Sequence, residues 1–171
     1  MLIPKMVKRV GMDKTLLLEQ MITALEETHQ GAVEAALRAY NTATNDENVA
    51  ENQYDTLALE ASYLAHGQAQ RVAECEADIL AFKKIDMAAD TEKKVVTLGC
   101  LIQLIDEDDN NRYVFFAPSA GGLKIRFDDK DIIVVTPTSP LGEALIGREL
   151  HDDVNVHIGS QIINYEIALI S

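Results

Sequence analysis

The sequence predicts an α+β protein in two unlike halves, a helical hairpin followed by a small β-rich domain. Three observations carry this. From Asp13 to Lys84 there is no proline, and the only glycines are Gly31 and Gly67, in a stretch dominated by the helix formers Ala, Leu, Glu and Gln. Within that stretch apolar residues recur at spacings of three and four. From Val95 onward β-branched residues, Gly and Pro take over in short alternating runs.

The first helix is read from Leu17, Met21, Ala24, Leu25, Thr28, Ala32, Ala35 and Ala39. The second is read from Tyr54, Leu57, Ala61, Leu64, Gln68, Val72, Cys75, Ile79 and Phe82. Such spacing stacks side chains on one helical face. The polar stretch Thr42-Ala43-Thr44-Asn45-Asp46 breaks the pattern, and Thr44, Asn45 and Asp46 are good N-caps for the second helix. Two seams facing one another make an antiparallel coiled coil, with arms of about 30 residues and roughly 45 Å. Alanines along the first arm let the helices approach closely. With no third helix to complete a bundle, the pair is expected to project as an arm.

In the second half, Lys94–Gly99, Leu101–Asp106, Tyr113–Ala117, Leu123–Phe127, Asp131–Thr136, Asp153–Ile158 and Gln161–Ile170 are strand candidates. Turns fall at Glu107–Asn111, Pro118–Gly122 and Gly159-Ser160. Leu141–Ile146 is a short helix entered through Ser139-Pro140 and stopped by Gly147, with Pro suited to a first helical position. The domains expected are an N-terminal extension over 1–12, a hairpin over 13–88 with its tip near 42–51, and a C-terminal domain over 89–171. Met12 is a plausible second start.

Charge narrows the function. A net charge of −13 over 171 residues does not suit a free-standing nucleic-acid binder, whose affinity rests on phosphate contacts. Cys75 and Cys100 form no CxxC or zinc pattern, and two reduced thiols in a cytoplasmic protein are expected. No apolar run approaches the ~20 residues of a membrane span. His29, His66, His151 and His157 form no ligand cluster, Gly121-Gly122 lacks the context of a phosphate loop, and no catalytic nucleophile arrangement is visible.

One motif is specific. Ser139-Pro140-Leu141-Gly142-Glu143-Ala144-Leu145-Ile146-Gly147-Arg148, followed by Asp152-Asp153-Val154, resembles the C-terminal signature of the GreA/GreB transcription elongation factors. Glu51-Asn52, with Gly67 further on, resembles the start of the second helix of the Gre coiled coil. The resemblance runs from about Asp13 to Ser171. It implies an FKBP-like C-terminal domain that docks on the rim of the RNA polymerase secondary channel while the hairpin enters the channel. It assigns the polymerase contact to Thr138, Ser139, Pro140 and Leu141. It implies no cofactor of the protein's own, only an Mg²⁺ shared with the polymerase, and no enzymatic activity in isolation. Nascent RNA and DNA would be met only inside the polymerase complex. The factor is expected to be a monomer, away from membranes.

In the family the hairpin tip carries an Asp and a Glu that help hold the second Mg²⁺ while the polymerase cleaves backtracked RNA. The Glu falls on Glu51 and the Asp on Asn48, which keeps an oxygen but no charge; Asp46 and Glu47 lie beside it. Glu51 and Asp46 are therefore the metal-ligand candidates. As a structural alternative, these acids favour the start of a helix simply through its dipole. Between Arg38 and Arg71 there is no Lys or Arg, so the basic patch typical of Gre hairpins is not evident. Three other readings follow: a channel-binding regulator without cleavage, which inhibits or retunes initiation; a coiled-coil adaptor; and a prolyl isomerase, disfavoured by the scarcity of aromatics needed for its pocket.

Overall fold

The computed structural model describes residues 12–44, 56–87 and 94–171. Two long helices, α1 (Lys14–Thr44) and α2 (Thr56–Lys83), lead into β1 (Leu101–Asp106), β2 (Asn111–Phe116), β3 (Lys124–Phe127) and β4 (Lys130–Val135). A short helix α3 (Pro140–Leu145) then precedes β5 (Asp153–Ile158) and β6 (Gln161–Ile170). The α+β class and the element order are as the sequence predicts.

At 31 and 28 residues, α1 and α2 are roughly 46 and 42 Å long. Leu17, Leu18, Met21, Leu25, Ala32 and Ala39 bury the seam of α1, against Cys75, Ile79 and Phe82 of α2. Charged pairs flank the seam: the Lys83 Nζ donates to Glu26 at 3.0 Å, and His29 lies 3.3 Å from Glu76. Lys83, Glu26 and Glu76 are half-exposed or more and His29 is about a quarter exposed, so each pair is worth little energetically.

Two seam positions differ from expectation. Thr28 is exposed, its hydroxyl donating to the Ala24 carbonyl at 2.9 Å, and Leu64 is 56% exposed at the seam's edge. The expected break also begins later. Thr42, Ala43 and Thr44 continue α1, because the Thr42 and Thr44 hydroxyls donate back to the Arg38 and Tyr40 carbonyls, each at 2.9 Å. This i−4 bonding satisfies hydroxyls inside a helix. Thr44 therefore ends α1 rather than capping α2, and Asn45 to Glu51 lie outside the described residues.

The six strands form one sheet in the order β3-β4-β2-β1-β6-β5. All neighbours are antiparallel except β2 and β4, which run parallel with Tyr113 beside Ile132 and Phe116 beside Val135. One segment departs from expectation. Lys94–Gly99 is not a strand; Val95 alone bridges to Glu149. Gly99 turns the chain with φ +89°, and the Cys100 N–H closes the turn on the Thr97 carbonyl at 3.1 Å. A Cβ at Gly99 would sit 2.9 Å from Ile85, so glycine is needed there on two counts.

Alternation gives the sheet two apolar faces. One packs Leu101, Phe115, Phe127, Ile132 and Val134 against Leu17, Met21, Leu25, Ile79 and Phe82, with Met12 at the margin. Phe82 stacks on Phe115 with centroids 6.5 Å apart. The helical hairpin is thus rooted on the sheet by a shared core. The other face packs Ile102, Leu104, Val114, Phe116, Val135, Val154, Val156 and Ile167 beneath Leu141 and Leu145 of α3.

Candidate functional site

The motif Ser139 to Gly142 builds the start of α3, and each residue has its own task. Ser139, extended at φ −80° and ψ 153°, is the N-cap. Its hydroxyl accepts from the Gly142 N–H at 3.0 Å and donates to the Thr136 carbonyl at 2.8 Å, so both functions of one oxygen are used. The Ser139 N–H also donates to the Thr136 carbonyl, at 3.0 Å. Pro140 takes the first helical position, where an N–H would have no partner. Leu141 is 8% exposed and belongs to the core. Gly142 is buried against the Thr136 carbonyl, and a Cβ there would fall 2.7 Å from the carbonyl carbon and 2.9 Å from the Ser139 Oγ.

The helix start forms one wall of a groove of about 460 Å³. Thr138, Ser139, Pro140 and Leu141 all line it, so the structure gathers the four residues assigned to polymerase contact around a single concavity. Thr138 and Pro140 are exposed at the rim, Ser139 is half-buried, and Leu141 forms part of the floor. Ile133, Val135, Val156, Ile158 and Tyr165 add to the apolar lining, and Gly121 and Gly122 of the β2–β3 connection border it. Arg112 closes one end, with its Nη1 donating to the Tyr165 hydroxyl at 3.1 Å.

The sequence reading missed Arg112, Ile133, Val156, Tyr165 and the close approach of Gly142. Alternation did place Ile133, Val135, Val156 and Tyr165 on consistent faces of their strands. Nothing local indicated that β4, β5 and β6 present those faces around the same helix.

The tip candidates Asp46, Glu47, Asn48 and Glu51 all fall outside the described residues. Among the described residues no group of His, Cys, Asp and Glu could hold a metal ion. Cys75 and Cys100 are both free and buried. No described helix is long and apolar enough to cross a membrane.

The perturbed ionisation lies away from the groove. The Asp106 carboxyl is held below its ordinary value because the Asn110 backbone N–H and side-chain amide donate to it, with a smaller contribution from the Asp108 N–H. The backbone donors reach Asp106 Oδ1 at 2.9 Å each. This closes the β1–β2 turn.

The structure thus combines a two-helix arm rooted on one sheet face with a helix-walled apolar groove on the other. Comparison with known proteins shows what the chain is similar to. Residues 91–171 match the family described as transcription elongation factor, GreA/GreB, C-terminal. Over 120 residues the chain is 28% identical to transcription elongation factor GreA of Syntrophus aciditrophicus, covering 70% of this chain and 69% of that one. Among solved structures, it is similar to the GreA factor homolog 1 (Gfh1) protein of Thermus thermophilus, at 16% identity, TM-score 0.37, and coverage of 90% of this chain and 92% of the other. A GreA/GreB factor from Nitrosomonas europaea aligns at 16% identity and TM-score 0.36, over 61% of this chain and 79% of its own. The C-terminal part of the chain thus matches the GreA/GreB model, and the chain is similar at 28% identity to a GreA elongation factor.

Proposed function

We propose that this protein binds RNA polymerase through the α3 groove, enters the secondary channel with the α1–α2 arm, and stimulates cleavage of backtracked RNA. The observation that carries the reading is the apolar groove that Ile133, Val135, Val156 and Tyr165 form beside Thr138–Leu141, within the residues that match the GreA/GreB model. The shared core beneath the arm supports it, since a rooted arm is aimed by whatever the sheet domain docks on.

The polymerase supplies the catalytic centre. The donors near the tip, Glu51 and Asp46 with Asn48, are all oxygen, which suits an Mg²⁺ shared with phosphates. Such an ion stabilises attacking and leaving oxygens in phosphodiester hydrolysis. What the chain itself contributes in this reading is binding, reach, and the carboxylates of Glu51 and Asp46 from the segment that links α1 to α2 in sequence. One observation favours a second reading, a channel-binding regulator that does not stimulate cleavage: Asn48 stands where the family carries Asp.

A backtracked elongation complex assembled with the cognate polymerase decides between them. Stimulated cleavage that is abolished by Glu51→Ala establishes the cleavage factor. Binding without cleavage, converted to cleavage by Asn48→Asp, establishes a correctly placed but undercharged tip. Absence of both binding and cleavage refutes the proposal.

A further inference from the structure

Past Arg112, the α3 groove adjoins a second concavity on the open face of β2, β4 and β3, where Lys124 and Arg126 join the lining. Arg112 and Ile133 belong to both stretches. Strand register explains the placement. Ile125 and Phe127 of β3 pack toward the helical arm, so the intervening Lys124 and Arg126 lie on the α3 side of the sheet. Lys124 pairs with Ile133, and Val114 lies on the other side of Ile133, two residues beyond Arg112. Arg112, Lys124 and Arg126 are all exposed.

Within this stretch the three cations face a single anion, Asp131, which accepts from Arg126 Nη1 at 2.9 Å. Arg112 spends one N–H on Tyr165, and a guanidinium has five to give. A net positive rim is notable in a chain of net charge −13. Asp153 and Glu166 alternate with Val154 and Tyr165, so these acids lie on the opposite face of the sheet. On the α3 side the surface is apolar beside α3 and basic toward β3, and charge at one end of an apolar groove orients an occupant and speeds its encounter.

We infer that the groove is a docking site for a protein segment that places an apolar side chain over Ile133, Val135 and Val156 and carboxylates over Lys124 and Arg112. The inference rests on the proposal that this groove docks RNA polymerase, and it specifies the chemistry of the polymerase element: an apolar anchor followed by acidic residues. Lys124 is a specificity residue at the rim, and its contribution falls with salt because exposed charges are screened.

Two measurements on the full-length protein test this. The first is affinity for the cognate core polymerase as a function of salt, for the wild type, Pro140→Ala and Lys124→Glu. The expected result is roughly three- to tenfold weaker binding by Lys124→Glu with a flatter salt dependence, the size of a rim charge reversal. Lys124 is exposed on an edge strand, so this variant is expected to fold, and an unchanged thermal midpoint checks that. If Pro140→Ala weakens binding and Lys124→Glu does not, polymerase docking stands and the inference about acidic chemistry falls. The second measurement does not depend on the polymerase. Labelled peptides joining a Leu-Phe anchor to a run of Glu, or to a run of Lys, are titrated alongside single-stranded poly-U RNA. Preference for the Glu peptide, lost in Lys124→Glu, supports the inference even if no polymerase is bound. Equal binding of both peptides, or preference for the RNA, overturns it.

Discussion

Replacing Gly142 with alanine is the sharpest test of how the groove is built. An added methyl would overlap the Thr136 carbonyl and stand 2.7 Å from its carbon. That obstacle is backbone, held by hydrogen bonds from the Ser139 N–H and the Ser139 hydroxyl at 3.0 and 2.8 Å. No side-chain rotation relieves the clash, so α3 must lift. Lifting breaks the cap between Gly142 and Ser139, worth ~1 kcal/mol. It also disturbs Leu141 and Leu145, which are 8% and 0% exposed. Overpacking of this kind costs ~1–3 kcal/mol. Together these give a destabilisation of about 2–4 kcal/mol, or roughly 5–15 °C in Tm for a chain of this size. Urea titration followed by circular dichroism reads the change in midpoint, and polymerase binding is expected to fall with it because the groove wall moves. A Gly142→Ala variant within about 0.5 kcal/mol of wild type would refute the reasoning, since it would mean that α3 and the Thr136 carbonyl are not in contact.

Phe82→Ala removes a fully buried ring from the junction of arm and sheet, and about 3–5 kcal/mol of stability is expected to go with it in a denaturant titration. Ser139→Ala should cost ~1 kcal/mol, and Ser139→Asp should restore the cap bond to Gly142 while losing the donor to Thr136, which places it between alanine and wild type. The Asp106 carboxyl has a folded pKa below its unfolded value of 3.8. Its stabilising contribution is therefore fully present above that value and is lost as pH falls through the folded pKa. Asp106→Asn is expected to flatten the acid limb of stability below about pH 4, measured as urea midpoint against pH, and an unchanged slope would remove the turn from the account.

The sequence by itself determined the elements. Three-four spacing located both arms, because a helix can bury only a stripe that returns every 3.6 residues. Alternation and turn residues located all six strands to within a few residues, and Ser139-Pro140 with Gly147 bounded α3. These signals are local, set by backbone geometry a few residues at a time. Where a local signal was overruled, a specific contact did it. Lys94–Gly99 has strand-like composition, but Gly99 turns beside Ile85 and leaves only the bridge from Val95 to Glu149. Thr42 to Thr44 have cap-like composition, but their hydroxyls bond back along α1.

The tertiary structure decided which surfaces meet. The parallel pairing of β2 with β4, the rooting of the arm through Phe82 on Phe115, and the convergence of Arg112, Ile133, Val156 and Tyr165 around α3 join residues far apart in the chain. Neither composition nor periodicity encodes such pairings, because each strand's alternation is satisfied equally well by several neighbours. Only closing both faces of the sheet at once, one under the arm and one under α3, selects this arrangement and creates the groove.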